Sequence, residues 1–480
     1  MRLRLPLGYI KMGLHYVRVG LWLLRRFRAY IGVSTRLPFR LQLLRLGWES
    51  RAAWGRPADR RIRIGASAGW YFPIYSHTFV YQELTQLLAA GFRVAFFYGA
   101  INHHDPLARQ YRPLWRAKRR LLVHPMMCQV SLRYFQRSEP ARLEAVLSLL
   151  ESASGLSREQ LLTHEHVLQA FAFSRLLRAY RPHYLHSYFF YQDTMYMLVA
   201  SMLLDVPRGV SCYADHMLQD YELKMVGAHL RQCSLAVATS NRIKTELLEL
   251  EPRTPEARVL VKPNAINAEH FPEVDRRARH AGLPIVLVSV CRLEPKKGLI
   301  HLADAVHALR ERGVDLRWIA IGGVDASESS RHYAAELQIR IADLKLQDVV
   351  RLAGKQGEAA INAAFVEADI FVAPFVETDS GDKDGVPTAL LEAMASGLPA
   401  VVTDAGSITE VIADRRNGLM VPQRDSAALA EAIALLVRDA DLRRDLGLAG
   451  TATVRERFAV QVCEGALHER IRALVRDGHG

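Results

Sequence analysis

Cysteine is scarce in this sequence, and the cysteines that are present have no regular spacing. Five of them are scattered along 480 residues, at Cys128, Cys212, Cys233, Cys291 and Cys463. Disulfide scaffolds and zinc sites need paired or clustered cysteines, so this distribution indicates neither. It is typical of a protein that works in a reducing compartment.

Acidic residues are nearly missing from the first 60 positions, where thirteen Arg and Lys face only Glu49 and Asp59. The whole chain carries a net charge of +13, so the remaining 420 residues are almost neutral at +2. A near-neutral body argues against a nucleic-acid-binding protein, which would need a basic surface there. The basic character therefore belongs to an N-terminal extension, residues 1–60.

The extension also lacks a long apolar run. Its uncharged segments, such as Val19 to Leu24, have at most seven residues, far fewer than the roughly 20 that a membrane-spanning helix needs. Arginines interrupt every candidate core of a signal peptide. The extension does have apolar residues at helical spacing and basic residues at intervals of seven, a pattern that predicts an amphipathic helix. The apolar set is Leu14, Val17, Leu21 and Leu24, and the basic set is Arg4, Lys11, Arg18 and Arg25.

A basic amphipathic helix is typical of an anionic membrane interface, so we expect residues 1–50 to bind such a surface. Three other interpretations fit the same pattern: a helix packed on the body by its apolar face, an organelle presequence, and a basic arm for nucleic acid. The leucine and aromatic content of the segment argues against the nucleic-acid arm.

Beyond residue 60, short apolar strands alternate with helix-length segments, which predicts parallel α/β domains. One series of strands ends at Arg258–Val261, and a second begins at the continuous apolar run Pro284–Val290, which is typical of a strand buried on both faces. Within the first series, Arg158 to Tyr180 has the composition of a helix. The length of the chain allows two to three such domains.

The most informative segment is Asp384-Gly-Val-Pro-Thr-Ala-Leu-Leu-Glu392, which follows a predicted strand and a polar loop. Pro387 has the fixed φ that suits a first helical position, and Gly397 suits the end of a helix. With strands predicted on both sides, the segment supplies the helix of a βαβ unit. The ligand crevice of such a unit lies at the carboxyl ends of its strands.

The turn before this helix has the features of a site for an anion or a sugar. Its unpaired backbone N–H groups lie at the positive end of the helix dipole and favour a phosphate or a sugar hydroxyl. Glu392 lies one to two turns further along and can bind the adjacent hydroxyls of a ribose. A buried or capping carboxylate is an equally good interpretation of Glu392 from this segment alone.

Arg292 and Lys297 lie in the segment that follows the strand Pro284–Val290. We therefore expect them at the carboxyl end of that strand. A bound diphosphate would lie there, and the two cations would neutralise the charge that develops on a departing phosphate. The alternative is a polar turn without a function, because basic residues are common in turns.

Together these segments resemble the retaining nucleotide-sugar glycosyltransferases of family four, the glycosyl transferases group 1 of bacterial polysaccharide and lipid-linked glycan synthesis. The family carries an acidic residue and a glutamate separated by seven residues, and Asp384 and Glu392 match this spacing. In most members the acidic residue is a glutamate, whereas here it is Asp384. The family also carries an arginine, four residues and a lysine, which Arg292 and Lys297 match. Two further similar segments are Phe72–Glu83 and Val261–Phe271.

The resemblance implies the GT-B fold, in which two doubly wound Rossmann-like domains face a cleft. The predicted parts are the basic amphipathic extension 1–60, an acceptor-side domain 61–275, a nucleotide-sugar-binding domain 276–455 and a crossover helix 456–480 that returns to the first domain.

The resemblance also implies roles for particular residues. Arg292 and Lys297 would stabilise the diphosphate leaving group, Glu392 would hold the ribose, and Asp384 would orient the sugar. Relatives carry a histidine that lines the donor sugar pocket, and this role falls to His216, narrowly ahead of Asp215. The implied donor-binding residues are Gly385, Val386, Pro387, Thr388 and Gly323.

No metal or cofactor is expected, since GT-B enzymes generally do without one. Carboxylates at Asp382 and Asp384 have a spacing that binds manganese or magnesium in other glycosyltransferases, but we assign no metal to them. The expected donor is a UDP or GDP sugar, and the expected acceptor is a lipid-linked or cell-surface glycan.

The implied function is a retaining hexosyl transfer at the cytoplasmic face of the cell membrane, with no nucleic-acid partner. Two alternatives stay open: a catalytically silent membrane-associated scaffold with the GT-B fold, and a GT-B nucleotide-sugar epimerase. Turnover of a nucleotide sugar distinguishes the scaffold from the enzymes.

Overall fold

The computed structural model describes residues 33–50, 61–69, 71–74, 77–101, 112–121, 125–191, 194–213, 218, 222–271, 283–325 and 327–477. Within these ranges the chain forms two α/β halves, each built on a parallel sheet. The predicted helix over Leu14 to Leu24 and the predicted boundary between the domains near residue 275 lie outside the described residues, so both stay predictions.

The first half contains a seven-stranded parallel sheet with helices on both sides and a separate two-stranded parallel sheet. Its strands are β1 Arg63–Ser67, β2 Tyr71–Phe72, β3 Arg93–Tyr98, β4 Ala100–Ile101, β5 Lys118–Arg120, β6 Tyr184–Tyr188, β7 Arg208–Cys212, β8 Leu235–Ala238 and β9 Val259–Val261. Its helices are α1 Val33–Ser50, α2 Thr78–Ala89, α3 Arg112–Ala117, α4 Pro125–Ser138, α5 Pro140–Ser154, α6 Arg158–Thr163, α7 Glu165–Tyr180, α8 Thr194–Leu204, α9 Val226–Gln232 and α10 Asn241–Leu250.

The second half contains a six-stranded parallel sheet. Its strands are β10 Ile285–Val290, β11 Leu316–Ile321, β12 Val350–Gly354, β13 Ile370–Ala373, β14 Ala400–Thr403 and β15 Leu419–Val421. Its helices are α11 Leu299–Glu311, α12 Glu328–Asp343, α13 Glu358–Glu367, α14 Thr388–Ala395, α15 Ser426–Arg438, α16 Ala440–Arg457 and α17 Val460–Asp477.

The strand order explains where ligand-facing loops gather. The first sheet runs β5-β3-β1-β6-β7-β8-β9, and the second runs β12-β11-β10-β13-β14-β15. In the second sheet the chain turns to one side after β10 and returns to the other side at β13. The loops that follow β10 and β13 therefore leave the sheet in opposite directions and open a crevice at the carboxyl ends of these strands.

The central strands form because their residues are apolar on both faces. β10 is buried along nearly its whole length, and β13 is completely buried. Strands covered by helices on both sides read as continuous Val, Ile and Leu runs rather than as alternating patterns. The predicted strand Pro284–Val290 agrees with β10 to within one residue.

Two predictions about helix boundaries were wrong. The predicted helix from Arg158 to Tyr180 is interrupted at His164, whose backbone is extended (φ −69°, ψ 126°) and whose Nδ1 atom accepts a hydrogen bond from the His166 N–H. His164 therefore ends α6 and caps α7. Pro387 is not the first helical residue but the N-cap of α14, because its ψ of 120° is extended.

The last helix, α17, packs against the first half of the molecule. Backbone hydrogen bonds join Ile266 to Phe458 and Val460, and the Arg472 guanidinium donates to the Ala90 carbonyl at 3.3 Å. Deeper in the same contact, the Lys262 ammonium group lies 2.9 Å from the Glu464 carboxylate. These contacts return the end of the chain to the half of the molecule in which its described part began.

Candidate active site

The loop after β10 delivers two buried lysines to the crevice. It forms a short 3-10 turn, Pro295–Lys297, and both Lys296 and Lys297 are buried. Gly298 ends the turn at φ +57°, and a Cβ atom there would lie 1.9 Å from the Pro374 carbonyl oxygen. Only glycine allows this close approach, which holds the two lysines against the carboxyl end of β13.

The loop after β13 supplies the carboxylates that face these lysines. The Lys297 ammonium group forms an ion pair with the Asp384 carboxylate. Lys296 lies 3.0 Å from Asp382 and 3.8 Å from Asp384. The Lys297 Nζ atom also lies 4.2 Å above the centre of the Phe375 ring, a distance at which a cation is attracted to an aromatic face.

Electrostatics keep Asp384 ionised in this position. Burial alone would raise the pKa of the Asp384 carboxyl, but Lys297, Lys296 and more weakly Arg292 outweigh it and hold the pKa below its usual value. Burial likewise disfavours the charged form of Lys296, but Asp384 and Asp382 reverse the effect and its pKa is raised. The crevice thus holds ion pairs that a diphosphate can replace with its own negative charges.

The backbone of Asp384 is fixed by the loop after β14. Gly406 has φ +59°, and a Cβ atom there would lie 2.1 Å from the Asp384 carbonyl oxygen. That oxygen accepts hydrogen bonds from the Ser407 N–H at 3.1 Å and from the Arg242 guanidinium of the first half at 3.2 Å. Asp384 is therefore held from both halves of the molecule.

The turn between Asp384 and α14 faces the first half across the cleft. A Cβ atom at Gly385 would lie 3.6 Å from Thr239 Oγ1 and 3.9 Å from the Tyr213 carbonyl oxygen, at the ends of β8 and β7. In the described structure, the N–H groups of Gly385, Val386 and Thr388 donate no hydrogen bond. They lie at the N-terminus of α14, where such donors suit a phosphate or sugar oxygen.

Glu392 lies further along α14, in a separate part of the crevice. Burial, with a smaller contribution from the Glu358 carboxylate, raises the pKa of Glu392 to about 7. No hydrogen bond to the Glu392 carboxylate occurs within the described residues. A partly buried carboxylate with a pKa near 7 and no partner among the described residues can accept hydrogen bonds from a bound ligand.

Arg292 and Gly323 lie side by side at the ends of β10 and β11. The Leu293 N–H donates to the Gly323 carbonyl at 3.1 Å, so the two loops run together. The Arg292 side chain is half exposed; it contacts Glu294 and lies 3.3 Å from Asp325. Arg292 does not touch the Lys297–Asp384 pair, but its charge acts on Asp384.

The structure therefore brings together most of the residues that the sequence singled out. Lys297 and Asp384 are in contact, Gly385 to Thr388 follow them at the start of α14, and Arg292 with Gly323 forms the adjoining edge. Glu392 lies on α14 beyond these residues. His216 lies outside the described residues, so its predicted role stays a prediction.

Two residues of the site were missed by the sequence analysis. Lys296 is as buried as Lys297 and contacts both aspartates, but adjacent lysines in a turn carry no signal that tells them apart. Arg242 reaches the Asp384 backbone from 142 positions away, and only the three-dimensional fold reveals that contact. Among the described residues, no group of three or more His, Cys, Asp or Glu side chains is arranged to hold a metal ion.

Two doubly wound domains that place ligand-binding loops along a shared cleft define the GT-B class of folds. Solved structures with this fold superpose on most of the chain. Sucrose-phosphate synthase from Thermosynechococcus elongatus has a TM-score of 0.63 and 20% identity and covers 87% of this chain and 100% of its own. HepE from Anabaena in complex with UDP has a TM-score of 0.61 and 16% identity and covers 86% and 100%.

Within this class, residues 271–453 match the family model for glycosyl transferases group 1. This match confirms the resemblance over the second half of the chain. The matched range contains Arg292, Lys297, Asp384 and Glu392.

Curated relatives are similar over less than half of the chain. The amylovoran biosynthesis glycosyltransferase AmsK of Erwinia amylovora is 34% identical over 223 residues, 46% of this chain and 52% of that protein. The putative colanic acid biosynthesis glycosyltransferase WcaL of Salmonella typhimurium is 28% identical over 46% and 52%. The phosphatidyl-myo-inositol mannosyltransferase of Mycobacterium leprae is 31% identical over 40% and 48%. The chain thus spans about half the length of the curated relatives it matches.

None of the described helices combines the length and the apolar character needed to cross a bilayer.

Proposed function

We propose that this chain is a retaining glycosyltransferase that moves a hexose from a nucleotide diphosphate sugar to a hydroxyl group of a lipid-linked or cell-surface glycan. The observation that supports it most directly is the buried Lys297–Asp384 pair in the crevice between β10 and β13. The relatives that match part of the chain include glycosyltransferases of polysaccharide synthesis and a phosphatidyl-myo-inositol mannosyltransferase. The domains proposed for this function are 61–275 on the acceptor side and 276–455 on the donor side.

The lysines provide the charge that the departing diphosphate needs. Lys297 and Lys296 are buried and preorganised by the turn before Gly298, so they need no rearrangement when negative charge develops on the phosphate. Arg292, at the half-exposed edge, adds a planar fork of donors for the phosphate oxygens. A bound diphosphate would pair with the two lysines that contact Asp384 in the structure.

The sugar and the nucleoside lie on either side of the diphosphate. Asp384 and the free N–H groups of Gly385, Val386 and Thr388 hold the sugar hydroxyls near the first domain. Glu392 accepts hydrogen bonds from the ribose hydroxyls, and Gly323 lets the nucleotide approach the end of β11. His216 is proposed to line the sugar pocket from the first domain.

Transfer with retention needs no enzyme nucleophile. The bond between the anomeric carbon and the phosphate oxygen breaks, and the acceptor oxygen bonds to the anomeric carbon on the same face. The acceptor proton passes to the leaving phosphate oxygen. The protein contributes mainly by orienting the two reactants and by stabilising the leaving charge, and we propose that no metal takes part.

We further propose that the enzyme works at the inner face of the cell membrane, with residues 1–50 on an anionic surface. The enzyme would then be bound to the membrane that carries its acceptor. This placement is separate from the chemistry and has its own test below.

The experiment is a donor panel. Purified full-length protein is incubated with UDP-, GDP- and ADP-sugars and a membrane extract as the acceptor source, and the product is analysed for the consumed donor and for the configuration at the anomeric carbon. One donor should be consumed, and its anomeric configuration should be retained in the product. An inverted product would overturn the retaining mechanism. The absence of any donor consumption would instead support the silent scaffold, and a changed free nucleotide sugar would support the epimerase.

A further inference from the structure

A second group of basic side chains lies on the first domain, far from the crevice. Arg175, Arg178 and Arg181 occupy the end of α7 and the residue after it, just before β6 begins at Tyr184. They therefore lie at the amino ends of the strands. The Gly385 turn faces the carboxyl ends of β7 and β8. The arginines therefore lie at the opposite ends of the strands of the same parallel sheet.

These arginines line a cavity of about 280 Å³ between α1, α4 and α7, together with Tyr134 and Gly47. A neighbouring cavity of about 300 Å³ shares Arg178 and Arg181 with it. The Tyr134 ring lies under two of the guanidinium groups, with its centre 4.8 Å from Arg175 Cζ and 5.4 Å from Arg178 Cζ. The ring holds both charges in place from one side and leaves the other side open to the cavity.

Arg175 is not satisfied by the protein. Its Nη1 atom is buried and has no hydrogen-bond partner in the described part of the chain. Burial lowers the pKa of Arg175, and the nearby Arg40 adds to this effect. A buried guanidinium nitrogen without an acceptor is costly, and an anion in the cavity would remove the cost.

The surrounding residues do not supply enough negative charge. Arg178 lies 3.0 Å from Glu139, and within the described residues the Arg181 side chain has no acidic partner. Residues 1–32, which precede α1, carry seven Arg and Lys and no Asp or Glu. Residues 51–60, which follow α1, carry three Arg and a single acidic residue, Asp59. Both segments that flank α1 are therefore net positive, which favours an anionic ligand from outside the chain.

The exposed side of α1 carries three large apolar residues beside the exposed Arg40 and Arg45. Leu41, Leu44 and Trp48 are 54%, 69% and 74% exposed, while Phe39 and Leu46 on the opposite face are 1% and 0% exposed. These three residues, the apolar stripe of α1, recur at helical spacing. Such a stripe marks a binding surface rather than a scattered set of exposed residues, and tryptophan beside basic residues is typical of a lipid interface.

We propose that the arginine pocket binds the phosphate group of an anionic lipid while the apolar stripe of α1 enters the outer layer of the same membrane. Arginine forks match phosphate oxygens with paired, charge-assisted hydrogen bonds. Gly47 lines the pocket and is next to Trp48 in the chain, so one lipid surface can reach both features. The pocket is remote from the crevice, and its test uses no nucleotide sugar, so it stands or falls independently of the proposed transferase activity.

The experiment measures binding of the full-length protein to vesicles of phosphatidylcholine with or without phosphatidic acid, at constant ionic strength. The double variant Arg175→Gln/Arg181→Gln removes two pocket charges. Its matched control, Arg133→Gln/Arg137→Gln, removes two charges from exposed positions of α4. A third variant, Trp48→Ser, tests the apolar stripe without changing the charge. Circular dichroism verifies that each variant is folded.

Phosphatidic acid should increase binding of the wild type, and the pocket variant should lose about tenfold or more in affinity while the control loses about twofold or less. Trp48→Ser should weaken binding to both vesicle types. Equal losses in the pocket variant and the control would overturn the proposal in favour of diffuse electrostatics. A parallel arm uses inorganic phosphate: if it raises the unfolding temperature of the wild type only, while all variants bind vesicles equally, the pocket takes free phosphate and the lipid assignment is wrong.

Discussion

The Lys297 ammonium group and the Asp384 carboxylate form an ion pair across the crevice between β10 and β13. The two residues come from different loops, and the neighbouring Lys296 lies 3.8 Å from the same carboxylate. The ammonium groups of Lys296 and Lys297 therefore pair with the carboxylates of Asp382 and Asp384. A nucleoside diphosphate carries the charge that can take the place of Asp384 beside the lysines.

The variant Asp384→Asn tests this exchange. It leaves two buried lysines with one carboxylate fewer, and we expect the free energy of unfolding to fall by about 3–5 kcal/mol. Saturating UDP or GDP should then raise the unfolding temperature of the variant more than that of the wild type, because the diphosphate restores the missing charge. Thermal unfolding with and without nucleotide measures both effects.

The matched control is Asp379→Asn, which removes a carboxylate that is 99% exposed. It should change neither the stability nor the response to nucleotide. Equal stabilisation of wild type and Asp384→Asn by the nucleotide would show that the diphosphate does not meet the lysines.

Donor affinity should depend on pH through Glu392. Burial and Glu358 raise the pKa of Glu392 to about 7. Only the ionised carboxylate can accept a hydrogen bond from a ribose hydroxyl at each of its two oxygens, because the protonated form carries a proton on one of them. Binding should therefore strengthen as the pH rises through 7, with an affinity about tenfold weaker at pH 6 than at pH 8. Calorimetric titration with the donor sugar nucleotide measures this dependence.

Two variants identify the titrating group. Glu392→Gln should abolish the pH dependence between pH 6 and 8 and bind weakly throughout. Glu358→Gln should move the transition to lower pH, because the Glu358 charge helps to raise the pKa of Glu392. A transition that persists in Glu392→Gln would assign it to another group.

Glu410 joins the two domains beside the donor loop. Its carboxylate accepts hydrogen bonds from the Asn241 N–H at 2.7 Å and the Arg242 N–H at 2.9 Å, at the N-terminus of α10 in the first domain. The neighbouring Ser407 hydroxyl lies 2.9 Å from Ser240 Oγ. Because Arg242 also holds the Asp384 backbone, this contact links the arrangement of the two halves to the position of Asp384.

Replacing Glu410 by Gln should remove one acceptor and the charge that favours the helix N-terminus, a loss of about 1–3 kcal/mol. We expect KM for the donor to rise about fivefold or more, since one kcal/mol corresponds to a factor of about five. Steady-state kinetics measure it, with Glu249→Gln on the exposed side of α10 as the control. An unchanged KM would mean that the contact does not contribute to donor binding.

A buried ion cluster fastens α17 to the first domain. The Lys262 ammonium group lies 2.8 Å from Glu83 and 2.9 Å from Glu464, and the Tyr188 and Tyr213 hydroxyls donate to Glu83 at 2.7 and 2.8 Å. Lys262→Met should lower the free energy of unfolding by about 3–5 kcal/mol, because two carboxylates stay buried without their cation. Chemical denaturation measures the loss.

The partner variant Glu464→Gln should behave differently. Burial and the Glu83 charge, opposed by Lys262, raise the pKa of Glu464 to about 7. A carboxyl with a raised pKa contributes its full stability only below its unfolded pKa and loses it as the pH rises through 7. Glu464→Gln should therefore gain stability relative to the wild type between pH 5 and 8, and a constant difference over that range would contradict the cluster.

Much of the fold could be predicted because its signals are local. The continuous apolar run at β10 and the glycine after α14 each determine structure within a few residues. The break at His164 could not be predicted, since no glycine or proline marks it and the capping histidine is common inside helices. The N-cap position of Pro387 was missed for a similar reason, because φ of proline suits both positions and only ψ differs.

The candidate site could be predicted in part. Parallel strands bring their carboxyl ends together, so residues after β10 and β13 had to meet near one another. The pairing of Lys297 with Asp384, 87 positions apart, follows from that topology but not from any pattern in the sequence. Lys262, Glu83 and Glu464 carry no joint signal at all, because their cluster depends on where the last helix packs.

The most direct test compares two lysines of the same site region. Release of nucleoside diphosphate from the consumed donor is measured for wild type, Lys297→Ala and Lys383→Ala, where Lys383 lies in the loop after β13 and pairs with Glu377 at 3.1 Å. If Lys297 stabilises the leaving diphosphate, Lys297→Ala should lose about 100- to 1,000-fold in kcat/KM while Lys383→Ala stays within about threefold of wild type. Equal turnover by all three proteins would contradict the proposed mechanism.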